Sequence, residues 1–406
     1  MTLSFEDLAA SIREHLDPDS VIDLTRELVR VPSDTAEGEE KAAAVLETFL
    51  HQAGISTTRQ PVESMGVNLI ASLPSESDDV GLLFNGHLDV VPPSSSMPFP
   101  PFDATVKEGI MWGRGTADMK GGLAAMACAL AAIRAANIPL ERTVTLSAVA
   151  AEEQGNLGTS ALVRDGIQAD WAVVGEATGL DLIVAHKGVD RYRVIVEGRS
   201  AHESMPELGT NAIMHAAQII TVLNKSLWPR LKERVHPELG MATYNIGTIQ
   251  GGIRRNMVPD RCVFQIGKRY LPGDSPDAIR AELEEAIATC KAEPDVRVSL
   301  VREPEFDRVP HPPLEIHPKH PLPHVLSATA ARVRGETPRV GSWGAFTDGA
   351  LLQAAGIPAV IFGPGDVSLA HTDEEHIELS EVVAAAEIYA IFAALACRPE
   401  GMTESF

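Results

Sequence analysis

Two histidines and five carboxylates of this chain stand where a charged side chain is costly unless something binds it. In Asn85-Gly86-His87-Leu88-Asp89 an imidazole and a carboxylate lie two apart at the end of an apolar run, so an extended backbone sends both to the same face. A carboxylate so placed can accept the second ring N–H of a metal-ligating histidine and fix its tautomer, although the pair also suits a surface histidine near a strand end. Asp118, in GRGTADMKGG, falls in a glycine-rich turn directly ahead of a helix, where capping is the ordinary role. Glu152 and Glu153 follow the apolar run TVTLSAVAA without a break. Two adjacent carboxylates repel, and burying them calls for cations; the other reading is an exposed pair. Glu176 closes the run WAVVGEA, and His371 follows a Gly/Pro turn in FGPGDVSLAHTDEEHI.

Taken together, His87, Asp118, Glu153, Glu176 and His371 all fall at or just past strand ends of one α/β unit. Ligands collect at the carboxyl ends of such strands. Two imidazoles and three carboxylates form a borderline N/O donor set that suits zinc, with cobalt or manganese as substitutes. Glu152 is then left over to handle protons. Other features carry less. His311, His317, His320 and His324 are spaced among prolines like a connector, GSWG lacks the nucleophile-elbow spacing, GRGTADMKGG lacks the phosphate-loop spacing, and Cys128 suits an apolar core.

The elements that must position these residues are legible from periodicity. Residues 5 to 56 read as two helices, with Asp17-Pro18-Asp19-Ser20 as turn and cap. The strands VNLIASL, GLLFNGHLDVV, TVTLSAVAA and WAVVGEA follow, with an Ala-rich helix over 121–136 between the second and third, the alternation of an α/β sheet. From Gly188 the order becomes βαββαβ, a small split-βαβ domain inserted into the larger one. The expected division is 1–187 and 302–406 for the catalytic domain and 188–301 for the insert.

Composition bounds the partners. With 34 Lys+Arg against 56 Asp+Glu, a formal net charge of −22, the surface repels phosphate backbones and anionic lipid heads, so neither nucleic acid nor membrane is an expected partner. The longest nearly apolar run, Leu123 to Ile133, is far short of the roughly 20 residues that span a bilayer. Four scattered cysteines without CxxC, and an acidic N-terminus without the features of a signal peptide, point to a reduced, cytoplasmic setting.

The ordered strings NGHLDVVP, WGRGTADMKGG, AAEEQGNLGT, VVGEAT, GRSAHESMPELGTNAI, GGIRRNMVPD and FGPGDVSLAHTDEEHI resemble the co-catalytic zinc aminoacylase and carboxypeptidase family, which includes acetylornithine deacetylase, succinyl-diaminopimelate desuccinylase and glutamate carboxypeptidase. The resemblance runs from about Val21 to Leu395. It implies a mixed-sheet α/β/α catalytic domain of zinc-exopeptidase type with an inserted α+β, ferredoxin-like lid and dimerisation domain. It further implies two zinc ions bridged by Asp118, with His87 and Glu176 completing one site and Glu153 and His371 the other. Glu152 would be general base and acid, and Asp89 the partner orienting His87. His202 would stabilise the oxyanion, reaching across a homodimer formed through the lid. Asn256 and Arg269, with Arg254 and Arg255 nearby, would hold the substrate carboxylate, and a cis peptide would follow Asp118.

The chain departs from that pattern at Glu203, at Gly267-Lys268, and in PPSSSMPFPPF, which lacks a customary Trp. These changes bear on substrate choice, not on the ligands. The activity implied is dinuclear metal-dependent hydrolysis of an amide bond in an N-acyl amino acid or small peptide-like substrate, by a deacylase or a carboxypeptidase. The alternatives are a different C–N bond, such as a carbamoyl, amidine or aryl amine group, and a non-catalytic metal- or peptide-binding module.

Overall fold

The computed structural model describes residues 4–63, 65–290 and 295–398. The chain forms two compact units. The first takes the residues before Ala185, Ile316–Gly341 and the chain from Thr347 onward; the second takes Ala185–Glu315 and Ser342–Phe346.

The first unit is built on β1 (Ser56–Val62), β2 (Gly66–Ser72), β3 (Val80–His87), β4 (Thr143–Val149), β5 (Trp171–Val174), the first three residues of β6 (Leu182–His186) and β7 (Ala359–Ile361). They run in the order β1-β2-β4-β3-β5-β7-β6. The centre, β4-β3-β5-β7, is parallel, and antiparallel strands flank it, which makes the sheet mixed. Parallel strands are buried on both faces, and all of β4 and β5 is buried, as their unbroken apolar runs require. Gly121–Ala135 and Leu379–Ala396 are apolar on nearly every side and pack in the same core. Gly122 allows the first of these helices to approach β5, since a Cβ there would lie 2.1 Å from the carbonyl oxygen of Gly175.

Three readings change. The N-terminal stretch holds three helices, Phe5–His15, Pro18–Val29 and Ala36–Gln52, where periodicity suggested two. The extra one is short but has a Ser4 cap on the Asp7 amide and buries Leu8, Ala9 and Ile12. Two helices, Thr116–Ala135 and Leu379–Ala396, are long and apolar enough to cross a membrane by length and composition, more than the Leu123–Ile133 run suggested, and both are mostly buried inside the unit. The stretch read as a connector holds a short helix, Pro304–Arg308, and much of it joins the second unit. Glu303 N–H donates to the Arg191 carbonyl, Val189 N–H and the Tyr270 hydroxyl donate to the His311 carbonyl, and the rings of His311 and Phe346 lie 4.6 Å apart.

The second unit holds a four-stranded antiparallel sheet in the order Thr243–Gly251, Arg261–Tyr270, Gly188–Glu197, Arg297–Arg302. Alternation places Tyr192, Val194, Val196, Cys262, Phe264 and Ile266 on one face. Helices Ala212–Glu233 and Pro276–Ala288 cover that face with Ala216, Ile219, Leu223, Ile279 and Leu283.

Candidate metal centre and catalytic site

The five expected ligands converge in the first unit. His87 is the last residue of β3, and its Nε2 lies 3.0 Å from Asp118 Oδ1 and 3.8 Å from Glu176 Oε1. Its Nδ1 lies 2.9 Å from the backbone carbonyl of Asp89, an acceptor only, so Nδ1 carries the proton and Nε2 offers its lone pair to the cluster. His371 Nε2 lies 2.7 Å from Glu153 Oε1 and 3.0 Å from Asp118 Oδ2. Asp118 thus sits in the middle with one oxygen toward each imidazole. Ligand atoms of His87, Asp118 and Glu153 all fall within 4.8 Å of one another.

The Asp118-Met119 peptide is cis, and Ala151 and His371 adopt positive φ, 54° and 63°, which turn the chain sharply where β4 delivers Glu152 and Glu153 and where the C-terminal loop returns. Asp89 does more than its sequence position suggests. Its Oδ1 accepts the Glu152 N–H at 3.0 Å and its Oδ2 the Glu153 N–H at 3.0 Å, while its carboxylate stands 3.5 Å from His87 Nδ1. One side chain therefore fixes the β4 loop as well as the end of β3. The two-residue spacing from His87 shows a shared face but not partners more than sixty residues away.

Further site residues escaped the sequence reading. Glu375 is buried; its Oε1 accepts the amides of Ala117 and Asp118 at 3.1 and 3.2 Å, and its Oε2 pairs with buried Arg114. Glu375 lies four residues after His371, so it ties the loops of two ligands together. The signal available was an Arg and a Glu inside ligand-bearing strings, which charge alone does not distinguish from surface residues. Removing one partner of such a pair strands the other charge. Glu375→Gln should destabilise the fold by about 3–5 kcal/mol, and denaturant unfolding of the metal-free protein measures it; a change within the scatter of surface substitutions would contradict the role. Buried Glu39 accepts the Ala151 N–H, and burial, with Asp89 nearby, pushes its pKa up to about 8.

The electrostatics of the cluster favour cations. Burial, with repulsion from neighbouring carboxylates, holds the Glu152 and Glu176 carboxyls well above the ordinary range. Burial works against charge on His87, yet its contacts with Asp118, Asp89 and Glu176 push its pKa well up. Hydrogen bonds to Asp118 and Glu153 push His371 up to about 10. Divalent ions would fit the same place and chemistry: two neutral imidazole donors, one shared carboxylate and one further carboxylate beside each imidazole.

The expected substrate residues lie in the second unit. His202 pairs with Met257 in a two-residue ladder, and Glu203 N–H donates to the Asn256 carbonyl, so His202 and Asn256 share one corner. Arg269 does not join them. It faces Val189 at the start of strand Gly188–Glu197, while Arg261 faces Glu197 at its end, and the His202 corner lies beyond that end. Arg254 and Arg255, expected near Arg269, directly precede Asn256 instead, because the strand carrying Arg269 runs its whole length in between. Nη1 of Arg269 is buried without a hydrogen-bond partner among the described residues. Lys268, at the departure from the family pattern, is buried with its Nζ 3.1 Å from Glu282.

Residues 83–394 match the pattern described as peptidase family M20/M25/M40. Acetylornithine deacetylase from Proteus mirabilis is 33% identical over 372 residues, covering 88% of this chain and 92% of that protein. N-formyl-4-amino-5-aminomethyl-2-methylpyrimidine deformylase from Bacillus subtilis is 28% identical over 403 residues, covering 93% and 94%. Among solved structures, aminopeptidase PepT from Bacillus cereus matches with a TM-score of 0.79 at 27% identity, covering 95% of this chain and 100% of that one. A family pattern that begins in β3 and ends in the closing helix takes in every ligand position described above, and the chain accordingly belongs to peptidase family M20/M25/M40, metallohydrolases that act on C–N bonds.

Proposed function

We propose that this chain removes a small acyl group from an amine by hydrolysis of an amide bond, using two divalent metal ions, zinc by preference, and Glu152 as the group that moves the proton. The observation that carries the reading is the division of Asp118 between His87 and His371, with Glu176 beside one and Glu153 beside the other. His87, Glu176 and Asp118 would hold one ion, and Glu153, His371 and Asp118 the second. Bound there, the pair would polarise the scissile carbonyl and lower the pKa of the attacking water. Glu152 accepts the proton of that water as its oxygen adds to the carbonyl carbon, and returns it to the amine nitrogen as the C–N bond breaks. Asp89 holds the amides of Glu152 and Glu153 and so keeps the proton-moving and metal-holding carboxylates apart.

His202 would steady the developing oxyanion, and Asn256 and Arg269 would hold an anionic group of the substrate. The orphaned Arg269 Nη1 supports an anion as its partner. Likeness to a deacetylase and to a deformylase supports a short acyl group. The deformylase favours a second reading in which the amine belongs to an aminomethylpyrimidine, not an amino acid. A homodimer and a cytoplasmic setting complete the proposal; the four cysteines, all free, support the latter.

The experiment strips the protein with a strong chelator, reloads it with zinc, cobalt or manganese, and assays N-formyl, N-acetyl, N-succinyl and N-carbamoyl amino acids, dipeptides and the N-formyl aminomethylpyrimidine. Chelation should abolish turnover and reloading should restore it. Full activity in metal-free protein would sink the proposal, as would an active form with well below one metal per chain.

A further inference from the structure

Asn156 stands where the loop carrying Glu152 turns into the helix Leu157–Arg164, at φ 57° and ψ 36°. That left-handed conformation admits Asn and Gly, and glycine would satisfy the backbone equally well. The side chain gives a second reason for Asn. It is 4% exposed, and its Nδ2 lies 2.7 Å from Glu152 Oε1 and 3.0 Å from Asp348 Oδ1. Both acceptors are carboxylates, so both amide hydrogens have partners, and turning the amide over would aim its carbonyl oxygen at two carboxylates. Asp348 is itself buried and is also hydrogen-bonded by Thr159, which anchors it from another side.

We propose that Asn156 is a positioning residue for the hydrolysis: with Asp348 fixing its amide, it holds Oε1 of Glu152 and leaves Oε2 as the oxygen that exchanges protons. The inference rests on the reading of Glu152 as the proton-moving group. A hydrogen bond from a neutral amide restrains a carboxylate without neutralising it, so the group keeps its capacity to take a proton while losing rotational freedom about its terminal torsion. Misplacement of a reacting group by about 1 Å costs on the order of 10²-fold in rate. Asn156 touches none of the five metal-ligand positions through a side-chain hydrogen bond, so its loss should leave the metal centre as it was.

Four proteins test this: Asn156→Gly, the exchange Asn156→Asp/Asp348→Asn, Glu152→Gln, and Glu152→Gln/Asn156→Gly. Each is assayed on N-formyl and N-acetyl amino acids, with zinc content, the visible absorption of the cobalt form and Tm measured alongside. Asn156→Gly keeps the backbone conformation and removes the donor. Its kcat should fall about 10- to 100-fold with KM, zinc content and cobalt spectrum unchanged. In the exchange, the amide moved to position 348 donates to the carboxylate moved to position 156, so the bond between the two positions returns, but Glu152 now faces a carboxylate in place of a donor and kcat stays low. In the Glu152→Gln background, Asn156→Gly should cost nothing further, since the group it positions is gone. The proposal is overturned if Asn156→Gly stays within about twofold of wild type in kcat, if the exchange restores kcat, or if the cobalt spectrum changes with the loss. Full turnover by Glu152→Gln overturns the proton-transfer reading itself. Dependence on Glu152 with indifference to position 156 overturns this inference alone.

Discussion

Glu152→Gln protein should contain as much metal as wild type and turn over about 10² to 10⁴ times more slowly or worse, whereas Glu153→Gln protein should lose metal from one site. In the proposed reading, two adjacent residues of the same type take different tasks according to where β4 leaves them. Glu153 directs Oε1 to His371 at 2.7 Å, inside the cluster whose middle is Asp118. Glu152 directs Oε1 to Asn156, in surroundings that hold its carboxyl well above the ordinary range, chiefly through burial. Glutamine preserves the size of either side chain. At 152 it removes the capacity to carry a proton, and at 153 it replaces an anionic ligand by a weaker neutral one. Elemental analysis beside steady-state kinetics separates the two. Equal depletion of metal in both variants would mean that the roles are wrongly divided.

The convergence of the candidate ligands was legible because most of them end or follow an apolar run, and a charged residue in that position needs a reason. The sheet followed from the same runs: TVTLSAVAA and WAVVGEA are unbroken because β4 and β5 are buried on both faces. What sequence did not show is which distant groups meet. Asp89 reads as the companion of His87, yet its carboxylate serves the amides of Glu152 and Glu153. Glu375 and Arg114 read as ordinary charges, yet they form a buried pair that braces Asp118. Nothing in the sequence marks Asn156, whose amide acquires its use only where Glu152 and Asp348 meet. The early helix Phe5–His15 was missed because its stripe of three buried residues is too short to stand out in a periodicity. Such contacts depend on tertiary packing between residues far apart in sequence, and no local pattern encodes them.

Mixing two inactive proteins, Glu152→Ala and His202→Ala, should restore activity if copies of this chain share their sites. The second unit gives a physical reason to expect sharing. Arg269 faces Val189, and the opposite end of the same strand is Glu197, eight residues on, or about 27 Å in an extended chain. His202 and Asn256 lie past that far end, too distant from Arg269 for one second unit to bring all three to a small acyl-amine. If all three residues serve one substrate, as the proposal holds, they come from different copies. His202 is prepared for such a role: the Ser204 N–H donates to its Nδ1, so the neutral ring carries its proton on Nε2, an exposed donor suited to an oxyanion. The edge strand Thr243–Gly251, with Ile249 half exposed, and the neighbouring helix, with Met214 at 60% exposure, offer apolar surface for a two-fold contact. Subunit exchange must first be verified independently, for example by mixing differently tagged chains. Each mixed dimer then has one site with intact Glu152 from one chain and intact His202 from the other, while its second site lacks both. Activity should reach about half that of wild type per mixed dimer, because one of two sites is whole. If His202 serves its own chain, every site lacks one of the two residues, and verified mixed dimers that stay inactive would refute the shared site.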